Sequence, residues 1–325
     1  MDPVRTLGLP SLAGDLARVE ESLHEAVSTP DRFLAEVASH LIGAGGKRIR
    51  PTLTLCATYA VTDSGGPASA NAVTGAVAIE LVHQGSLYHD DVIDEAETRR
   101  GVPSVNARWS NIVAILAGDF LLARASALAA HLGGDVAEVL ASTIAELCRG
   151  QVLELQHLFD VDRSEEGYCS AIEGKTASLF GTSCRVGGMV CGVAEPTLDA
   201  LTRYGFHVGM CFQIVDDVLD ITGTDAALGK PAGQDLVEGV YTLPVIHAIA
   251  ARPELRDRLG HPLDAEQLST VRRLATSDGA IEAALGKARD HATKAVEALD
   301  GAEELAPDVC AALTRLVEGL VDRDS

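Results

Sequence analysis

The sequence predicts an all-α fold, and three observations support this prediction. Apolar residues recur at intervals of three and four along most of the chain, which is the periodicity of helices that bury one face. Aromatic residues make up only 4% of the 325 residues, whereas hydrophobic residues make up 47%. The chain is rich in Ala, Leu, Val and Gly, a composition that favours closely packed helices over a β-rich core.

The helical periodicity covers several long stretches that are separated by short breaks. In chain order the stretches are residues 12–41, 51–59, 71–94, 111–131, 136–158, 168–193, 196–222, 242–251 and most of 264–321. The breaks at residues 43–46, 64–67, 101–103 and 229–233 are rich in Gly and Pro, which interrupt helices. None of them is a long low-complexity linker, so we expect one helical domain over residues 1–325.

Charge and cysteine content exclude several classes of function. The formal net charge of −21 predicts no binding to nucleic acid, because an acidic surface repels the phosphate backbone. The seven cysteines form no C-x-x-C pair, so neither a disulfide framework nor a zinc site is indicated, and a reducing cytoplasm is expected. The sequence shows no secretory leader and no run of about 18 uninterrupted apolar residues. We therefore expect a soluble protein without an integral membrane segment.

One acidic pattern, Asp-Asp-x-x-Asp, occurs twice, at residues 90–94 and 216–220. On a helix the first and last Asp of each motif share a face, while the second Asp is turned about 100° away. Each motif therefore forms a small acidic shelf. The candidate metal-binding carboxylates are Asp90, Asp91, Asp94, Asp216, Asp217 and Asp220.

Carboxylates in apolar surroundings need a compensating charge. Both motifs follow strongly apolar runs, at residues 77–82 and 211–215, and burying unpaired carboxylates is costly. Magnesium suits this setting, because it prefers oxygen ligands and takes one or two protein carboxylates together with substrate phosphates. A single motif of this kind is more often a solvated helix face. Two copies, each followed by basic residues, favour a magnesium site.

Basic side chains stand out in this acidic chain. They are Lys47, Arg48 and Arg50, then Arg99 and Arg100, then Lys175, and then Lys230. Arg offers a planar fork for bidentate contacts to phosphate and Lys offers a point charge, so these residues are candidates for binding a diphosphate. The alternative for residues 47–50 is a loop with solvated cations at the start of a helix.

Taken in order, these motifs resemble those of the trans-isoprenyl diphosphate synthases. The resemblance spans residues 41–248. In the first part of that span it includes Gly-Gly-Lys-Arg-Ile-Arg-Pro at 45–51, Glu-Leu-Val-His at 80–83, the first aspartate motif with Arg-Arg-Gly at 99–101, and Gly-Asp at 118–119. Further along it includes Gly-Gln at 150–151, Gly-Lys-Thr at 174–176, Phe-Gln-Ile at 212–214 before the second motif, Gly-Lys-Pro-Ala-Gly-Gln-Asp at 229–235, and Thr-Leu-Pro at 242–244. It implies an all-α isoprenoid synthase fold, with helices around a central active-site cavity, that works as a homodimer.

The resemblance also implies roles for individual residues. Three magnesium ions would bridge an allylic diphosphate to Asp90, Asp94 and Asp216. That diphosphate would be held by Arg99, Lys175, Gln213 and Lys230, and isopentenyl diphosphate by Lys47, Arg50, His83 and Arg100. The Thr176 hydroxyl and the Gln213 amide would stabilise the allylic cation. The role assigned to His83 rests on its place in the family motif alone, because a helical His on an apolar run is more often a core residue.

The implied reaction is ionisation, condensation and elimination. The allylic carbon–oxygen bond breaks, the double bond of isopentenyl diphosphate attacks the cation, and a proton leaves to the released pyrophosphate, while metal ions stabilise the departing charge. One departure from the family pattern is Val240, where many members carry a Lys that helps to hold pyrophosphate. We interpret Val240 as a feature of a bacterial long-chain subgroup and not as a loss of activity.

In the family that the sequence resembles, residues just before the first aspartate motif set the product length. Here they are Gly85 and Ser86, which leave the passage open, whereas short-chain members carry bulky aromatics. One helical turn of about 5.4 Å is close to the length of one isoprene unit. The expected product is therefore a hexaprenyl to decaprenyl diphosphate for quinone side chains, made from a farnesyl or geranylgeranyl primer. The alternatives are that farnesyl or geranylgeranyl diphosphate is the product, and that the two small residues merely permit close helix packing.

Two other classes of protein share parts of this pattern. A terpene cyclase also ionises an allylic diphosphate, but its second metal motif is usually an Asn/Ser/Glu pattern, and it needs no isopentenyl pocket such as Lys47, Arg50 and Arg100 suggest. A non-catalytic subunit of a heteromeric prenyl synthase tends to lose the aspartates or the phosphate-binding cations. Both sets are intact in this sequence, so we expect a complete enzyme.

Overall fold

The computed structural model describes residues 3–62, 66–224, 232–276, 279–302 and 304–322. The helices are α1 (Pro3–Leu7), α2 (Leu12–Ala26), α3 (Arg32–Gly43), α4 (Ile49–Ala60), α5 (Ala70–Ile93), α6 (Val105–Arg108), α7 (Asn111–Leu132), α8 (Gly134–Gln156), α9 (Glu165–Ile172), α10 (Ser178–Met189), α11 (Glu195–Thr222), α12 (Gln234–Glu238), α13 (Leu243–Ala251), α14 (Ala265–Ala275), α15 (Ala280–Asp300) and α16 (Pro307–Val321). A π-helical turn (Glu173–Ala177) joins α9 to α10, and a 3-10 turn (Pro253–Arg258) follows α13. The predicted all-α class is confirmed.

Helices α5 and α11 lie at the centre of the bundle. Helix α5 packs against α2, α4, α7 and α10, and α11 packs against α10, α15 and α16. Both helices are buried around much of their circumference, which is expected for helices that are apolar on most sides. Each carries an aspartate motif near its C-terminal end, and residues of both motifs line one cavity of about 480 Å³.

Two of the predicted helical stretches are wrong in their extent. The stretch at residues 12–41 divides into α2 and α3, because Pro30 disfavours helical geometry in the residue before it and Asp31 caps a new helix. The Asp31 carboxylate accepts hydrogen bonds from the amides of Phe33 and Leu34. The stretch at residues 264–321 likewise divides into α14, α15 and α16. The apolar period continues on both sides of each break, so periodicity alone does not show where the chain turns.

A two-stranded hairpin was not predicted. Strands β1 (Thr98–Arg99) and β2 (Val102–Pro103) pair antiparallel directly after the first aspartate motif. Arg100 and Gly101 form the turn with φ values of 53° and 76°, as a two-residue hairpin turn with positive φ at both positions requires. Two-residue strands are too short to show alternation in the sequence.

The apolar core supports the prediction of a single domain over residues 1–325, which stays a prediction. One cluster of buried apolar side chains reaches from Leu7 to Leu320, and a smaller cluster lies among α12, α13 and α14. Ile281 packs against both clusters. Helix α1 packs on α16, where Arg315 Nη2 donates to the carbonyl of Leu7 at 3.2 Å. The first and last described helices therefore share one core.

Candidate active site

The first aspartate motif places two carboxylates at the C-terminal end of α5. Burial raises the pKa of Asp90 to about 6; the nearby Lys175 cation opposes this shift, and the Asp94 carboxylate adds to it. Burial also raises the pKa of Asp94, again against the effect of Lys175. The partial negative charge at a helix C-terminus adds to this repulsion. The pair therefore favours the binding of a cation.

The second residue of this motif lies against a cation of the chain. The Asp91 side chain is 0% exposed, and its Oδ1 lies 2.7 Å from Arg99 Nε and 2.6 Å from Arg99 Nη2. This pairing weighs against Asp91 as a metal ligand, and its place in the metal site stays a prediction. Arg99 in turn uses two of its three nitrogens on Asp91.

The second aspartate motif also divides by exposure. Asp216 is exposed on α11, whereas Asp217 and Asp220 are buried. Asp217 Oδ2 accepts a hydrogen bond from the Tyr168 hydroxyl at 2.6 Å, and Asp220 Oδ2 accepts one from the Asp235 amide at 3.3 Å. Burial raises the pKa of Asp217 to about 7, although its hydrogen bonds oppose that shift. Asp216 is therefore the carboxylate of this motif that is open to solvent.

A chain of hydrogen bonds connects the π-helical turn with the second motif. The Thr176 hydroxyl donates to Gln213 Oε1 at 2.8 Å, and Gln213 Nε2 donates to Asp217 Oδ1 at 2.8 Å. Tyr168 completes the chain on the far side of Asp217. Both ends of the Gln213 amide are therefore held, which fixes its dipole relative to the cavity.

Lys175 lies in the π-helical turn and pairs with Glu154 of α8. Burial lowers the pKa of Lys175, but the carboxylates of Glu154 and Asp90 outweigh it, and the pKa stands above its usual value. Lys175 therefore stays charged between α8 and the first aspartate motif. π-Helical turns occur often at functional sites because they redirect side chains.

Two glycines allow α8 to touch the π-helical turn. A Cβ atom on Gly150 would lie 2.2 Å from the amide nitrogen of Lys175, and one on Gly174 would lie 2.6 Å from the carbonyl oxygen of Glu146. Any side chain at either position would separate the two backbones. The Gly150-Gln151 and Gly174-Lys175 segments therefore bring Glu154 within reach of Lys175.

A second pocket, of about 420 Å³, is lined by basic residues. Its walls include Lys47, Arg50, His83 and Arg100. Arg50 lies 4.6 Å from the centre of the Phe180 ring, and its buried Nε has no hydrogen-bond partner among the described residues. Burial lowers the pKa of Arg50 to about 10, so it remains a cation at neutral pH. The pocket is therefore suited to an anion.

His83 is neutral at pH 7 in this setting. Burial, followed by the cations of Arg50 and Arg100, lowers its pKa well below the usual value. A neutral imidazole offers one donor and one acceptor instead of a charge.

Arg48 and Arg100 shape the entry to the basic pocket. Arg48 pairs with Glu80 at 3.0 Å and with Glu20, and it is buried. Arg100 Nη1 donates to the carbonyls of Leu41, at 3.0 Å, and of Gly45. The hairpin turn therefore ties the loop after α3 to the first aspartate motif. The side chain of Lys47 is exposed at the pocket.

The two positions expected to set product length face different neighbours. A Cβ atom on Gly85 would lie 3.1 Å from the carbonyl oxygen of Gly118 and 3.2 Å from Leu122 Cγ, so Gly85 permits close packing of α5 on α7. Ser86 instead lines a cavity of about 260 Å³ beside Asp90 and Lys175. The remaining walls of that cavity are mostly apolar, with Ile93, Leu147, Val152 and Leu155 among them.

A family profile described as polyprenyl synthetase matches residues 31–276. The chain belongs to the polyprenyl synthetase family. It is 41% identical over 319 residues to a nonaprenyl diphosphate synthase of Mycobacterium tuberculosis, covering 95% of this chain and 92% of that protein. It is also 41% identical over 293 residues to heptaprenyl diphosphate synthase component 2 of Geobacillus stearothermophilus, covering 89% and 90%.

The solved structures agree with this assignment. A polyprenyl synthase from Caulobacter crescentus, crystallised with calcium and isoprenyl diphosphate, superposes with a TM-score of 0.90 at 33% identity, covering 100% of this chain and 98% of that one. The predicted family, fold and enzyme class, a trans-prenyltransferase of the polyprenyl synthetase family, are confirmed.

Sequence reasoning missed several side chains of this polyprenyl synthetase site. Glu154, Tyr168 and Arg163 line the same cavity as Lys175, but they lie outside the motifs that drew attention. The sequence motif nearest to any of these three residues is the Gly150-Gln151 segment, which lies just before Glu154. Lys230, predicted to bind the allylic diphosphate, lies outside the described residues.

Helix α7 of this polyprenyl synthetase carries an exposed apolar face. Ile112 and Leu116 are 71% and 61% exposed, and Val152 and Leu155 of neighbouring α8 are also exposed. By length and composition α7 could cross a membrane, and one third of its most apolar window is buried. The charged residues Asp119 and Arg124 interrupt the apolar sequence of α7. The other face of the helix packs on α5.

Proposed function

We propose that the chain is a trans-prenyl diphosphate synthase that elongates an allylic diphosphate with isopentenyl diphosphate. The observation that carries this proposal is the pair of adjoining pockets. One combines aspartates with Lys175 and Arg99, and the other is lined by Lys47, Arg50 and Arg100. Arg99 and Gln213 line the first pocket, and their chain neighbours Arg100 and Phe212 line the second, so the two pockets are close to each other. Two diphosphates, one with metal ions and one without, match this arrangement.

Asp90, Asp94 and Asp216 would hold magnesium, with three ions expected from the family resemblance. Two features of these carboxylates suit a magnesium site: the raised pKa values of Asp90 and Asp94 and the exposure of Asp216. Among the described residues no group of three His, Cys, Asp or Glu side chains is ready to enclose a metal ion. An open set of carboxylates suits magnesium that is completed by substrate phosphates and water. When bound, the ions would stabilise the negative charge of the departing diphosphate.

The protein side chains would orient the allylic substrate for ionisation. Lys175 and the remaining nitrogen of Arg99 would bind its diphosphate. The fixed Gln213 amide and the Thr176 hydroxyl would face the carbon that becomes positive. Lys230 stays a predicted ligand of the same diphosphate.

The basic pocket would bind isopentenyl diphosphate without metal ions. Arg50 offers its unpartnered Nε, while Lys47 and Arg100 add positive charge. Neutral His83 would contribute a hydrogen bond. The double bond would attack the allylic cation, and the proton lost from the new bond would pass to the released pyrophosphate.

The product would be a hexaprenyl to decaprenyl diphosphate for quinone side chains, made from a farnesyl or geranylgeranyl primer in the cytoplasm. The relatives that make heptaprenyl and nonaprenyl products support this range. Ser86 supports it as well, because a small side chain lines the apolar cavity beside Asp90. Farnesyl or geranylgeranyl diphosphate as the product is the alternative that size analysis would reveal.

A second copy of the chain would cover the apolar face of α7 and α8. The homodimer implied by the family resemblance is consistent with this face. The Geobacillus relative is named as one component of an enzyme, which makes a heteromeric partner the competing outcome.

The test is to incubate the purified protein with magnesium, labelled isopentenyl diphosphate and, separately, dimethylallyl, geranyl, farnesyl and geranylgeranyl diphosphate. Long linear diphosphates that disappear on chelation are expected. Asp216→Asn, which keeps the shape of the side chain and removes its charge, serves as the inactive control. Hydrocarbons formed without isopentenyl diphosphate would indicate a cyclase, and no product from any primer would indicate a missing partner.

A further inference from the structure

Arg163 is a buried cation in the wall of the acidic cavity. It lies in the connection between α8 and α9, is 4% exposed, and lines the same cavity as Lys175, Gln213 and Asp217. Its Nη1 donates to the carbonyl oxygen of Tyr241 at 3.1 Å. Its Nε and Nη2 are buried and have no hydrogen-bond partner in the described part of the chain.

Such an arrangement is unfavourable without a ligand. A buried donor without a partner destabilises the fold, and more so when the group is charged. Several carboxylates line the same cavity, namely Asp94, Glu95, Glu97, Glu154, Asp217, Asp235 and Glu238. Even so, Arg163 forms no ion pair with any described residue. Its two unpartnered donors can therefore bind a group that the described part of the chain does not supply.

Backbone contacts keep Arg163 in place. The amide of Phe159 donates to the carbonyl of Gly239 at 2.8 Å, and the amide of Arg163 donates to the carbonyl of Asp160 at 3.2 Å. The guanidinium also lies 5.5 Å from the centre of the Tyr168 ring. The Tyr168 ring and the Tyr241 carbonyl both contact the guanidinium itself, so its orientation is fixed.

The unpartnered atoms form one side of the guanidinium. Nε and Nη2 are neighbours on a single planar edge, the geometry that binds two oxygens of a phosphate group. Val240 lines the same cavity in the connection between α12 and α13 and offers only an apolar side chain. Lys175 and Arg99 also line this cavity, so Arg163 adds a third cation to it.

We propose that Arg163 binds the diphosphate group of the allylic substrate, and the pyrophosphate that it becomes, through its Nε–Nη2 edge. This inference rests on the proposed function. Arg163 would be a ligand of the diphosphate in addition to those expected from the sequence. It would hold the leaving group on the side of the cavity formed by the connections before α9 and α13.

The experiment compares Arg163→Gln with Arg163→Lys and with Arg256→Gln as the matched control. Arg256 binds Asp162 and the Val161 carbonyl in the same connection but is largely exposed. We would measure inhibition by inorganic pyrophosphate with magnesium, and the KM values for farnesyl diphosphate and isopentenyl diphosphate. Calorimetric titration with magnesium pyrophosphate would give binding that does not depend on turnover.

Arg163→Gln should weaken pyrophosphate binding and raise the KM for farnesyl diphosphate by about 10-fold to 100-fold, the factor for a lost charged hydrogen bond. The KM for isopentenyl diphosphate should not change. Arg163→Lys keeps the charge but lacks the planar edge, so it should fall between Arg163→Gln and the wild type. Arg256→Gln should match the wild type.

Unchanged pyrophosphate binding in a folded Arg163→Gln protein would overturn the inference and make Arg163 a structural clamp on Tyr241. If Arg163→Gln fails to fold, unchanged binding in Arg163→Lys would overturn it in the same way. A wild-type protein that binds magnesium pyrophosphate but condenses no primer would contradict the proposed function, and Arg163 would then be judged by the binding data alone.

Discussion

Arg99 holds Asp91 through two nitrogens, 2.6 and 2.7 Å from a single carboxylate oxygen, one residue after the proposed metal ligand Asp90. The contact buries the second carboxylate of the motif and positions the arginine that follows it. Neighbouring aspartates in one motif are therefore expected to respond differently to substitution.

Asp90→Ala and Asp216→Ala should abolish turnover and leave the helical fold intact, because each removes a carboxylate proposed to hold magnesium. Asp91→Ala should instead lower the free energy of unfolding by about 1 to 3 kcal/mol, since it leaves the partly buried Arg99 without its partner. Urea denaturation and product assays on all three variants would test this difference. Normal turnover in Asp90→Ala or Asp216→Ala would contradict the metal assignment.

Ser86→Phe should shorten the product, because the ring would enter the apolar cavity beside Asp90. Ser86→Ala, which adds no bulk, should leave product length unchanged. Chromatographic sizing of the dephosphorylated products would show the difference. A full-length product from Ser86→Phe would place the end of the tail cavity elsewhere.

Gly85 was expected, together with Ser86, to leave the passage for the tail open, but the structure predicts a different effect for Gly85→Phe than for Ser86→Phe. Any side chain at Gly85 meets the backbone of Gly118. Overpacking of this kind costs about 1 to 3 kcal/mol or more. We expect a lower melting temperature for Gly85→Phe, and a stable Gly85→Phe protein with a shorter product would show that α5 and α7 can separate.

The different outcomes for Gly85 and Ser86 illustrate what sequence reasoning can provide. The family resemblance placed both positions beside the growing tail, and the motifs made Asp90, Lys175 and Gln213 candidate site residues. Which neighbour a side chain meets depends on how helices that are distant in sequence cross. For that reason the Gly85 contact with α7 and the Arg163 contact with Tyr241 appear only in the folded chain.

A pair of histidines outside the active site should make stability depend on pH. His207 of α11 and His291 of α15 lie with their Nδ1 atoms 3.1 Å apart. Burial and the neighbouring His207 lower the pKa of His291 to about 4, with Lys294 adding to the effect and Asp290 opposing it. Burial, Lys294 and Arg203 likewise lower the pKa of His207.

Because the unfolded chain binds these protons with a pKa near 6.5, it takes up more protons than the folded chain as pH falls below that value. The contribution of the two neutral histidines to the free energy of unfolding is therefore complete above about pH 6.5 and declines toward pH 4. The His291→Gln variant should show a smaller decline in urea midpoint between pH 7 and pH 4.5, and substitution of exposed His24 should not. If the urea midpoint of both variants declined equally between pH 7 and pH 4.5, the pH dependence of stability would come from other groups.

Val240→Lys tests the interpretation of the departure at that position. If Arg163 already supplies a cation to this wall, the added Lys should not increase turnover of the wild-type chain. In the Arg163→Gln background the same substitution should restore part of the pyrophosphate binding. A rise from negligible to normal activity in Val240→Lys alone would show that Val240 is a defect.

Leu116→Glu should convert the expected homodimer into a monomer, because it places a charge in the apolar face of α7. Val237→Glu, at an exposed apolar residue of α12, should leave the assembly unchanged. Sedimentation velocity would measure the mass of each variant. A wild-type monomer would contradict the homodimer and direct attention to a heteromeric partner.

The π-helical turn at Glu173–Ala177 has a consequence for how the enzyme tolerates insertions and deletions. Such a turn holds one more residue than an α-helical turn. Deleting one residue there would therefore join α9 and α10 into one continuous α-helix. Because the extra residue is accommodated within that turn, α9 and α10 would keep the faces they present to their neighbours, while the residues of the turn itself would move. Lys175 and Thr176 lie in the turn, so the pairing of Lys175 with Glu154 and the hydrogen bond from Thr176 to Gln213 would both be lost. These two contacts therefore depend on the residue count of a single turn.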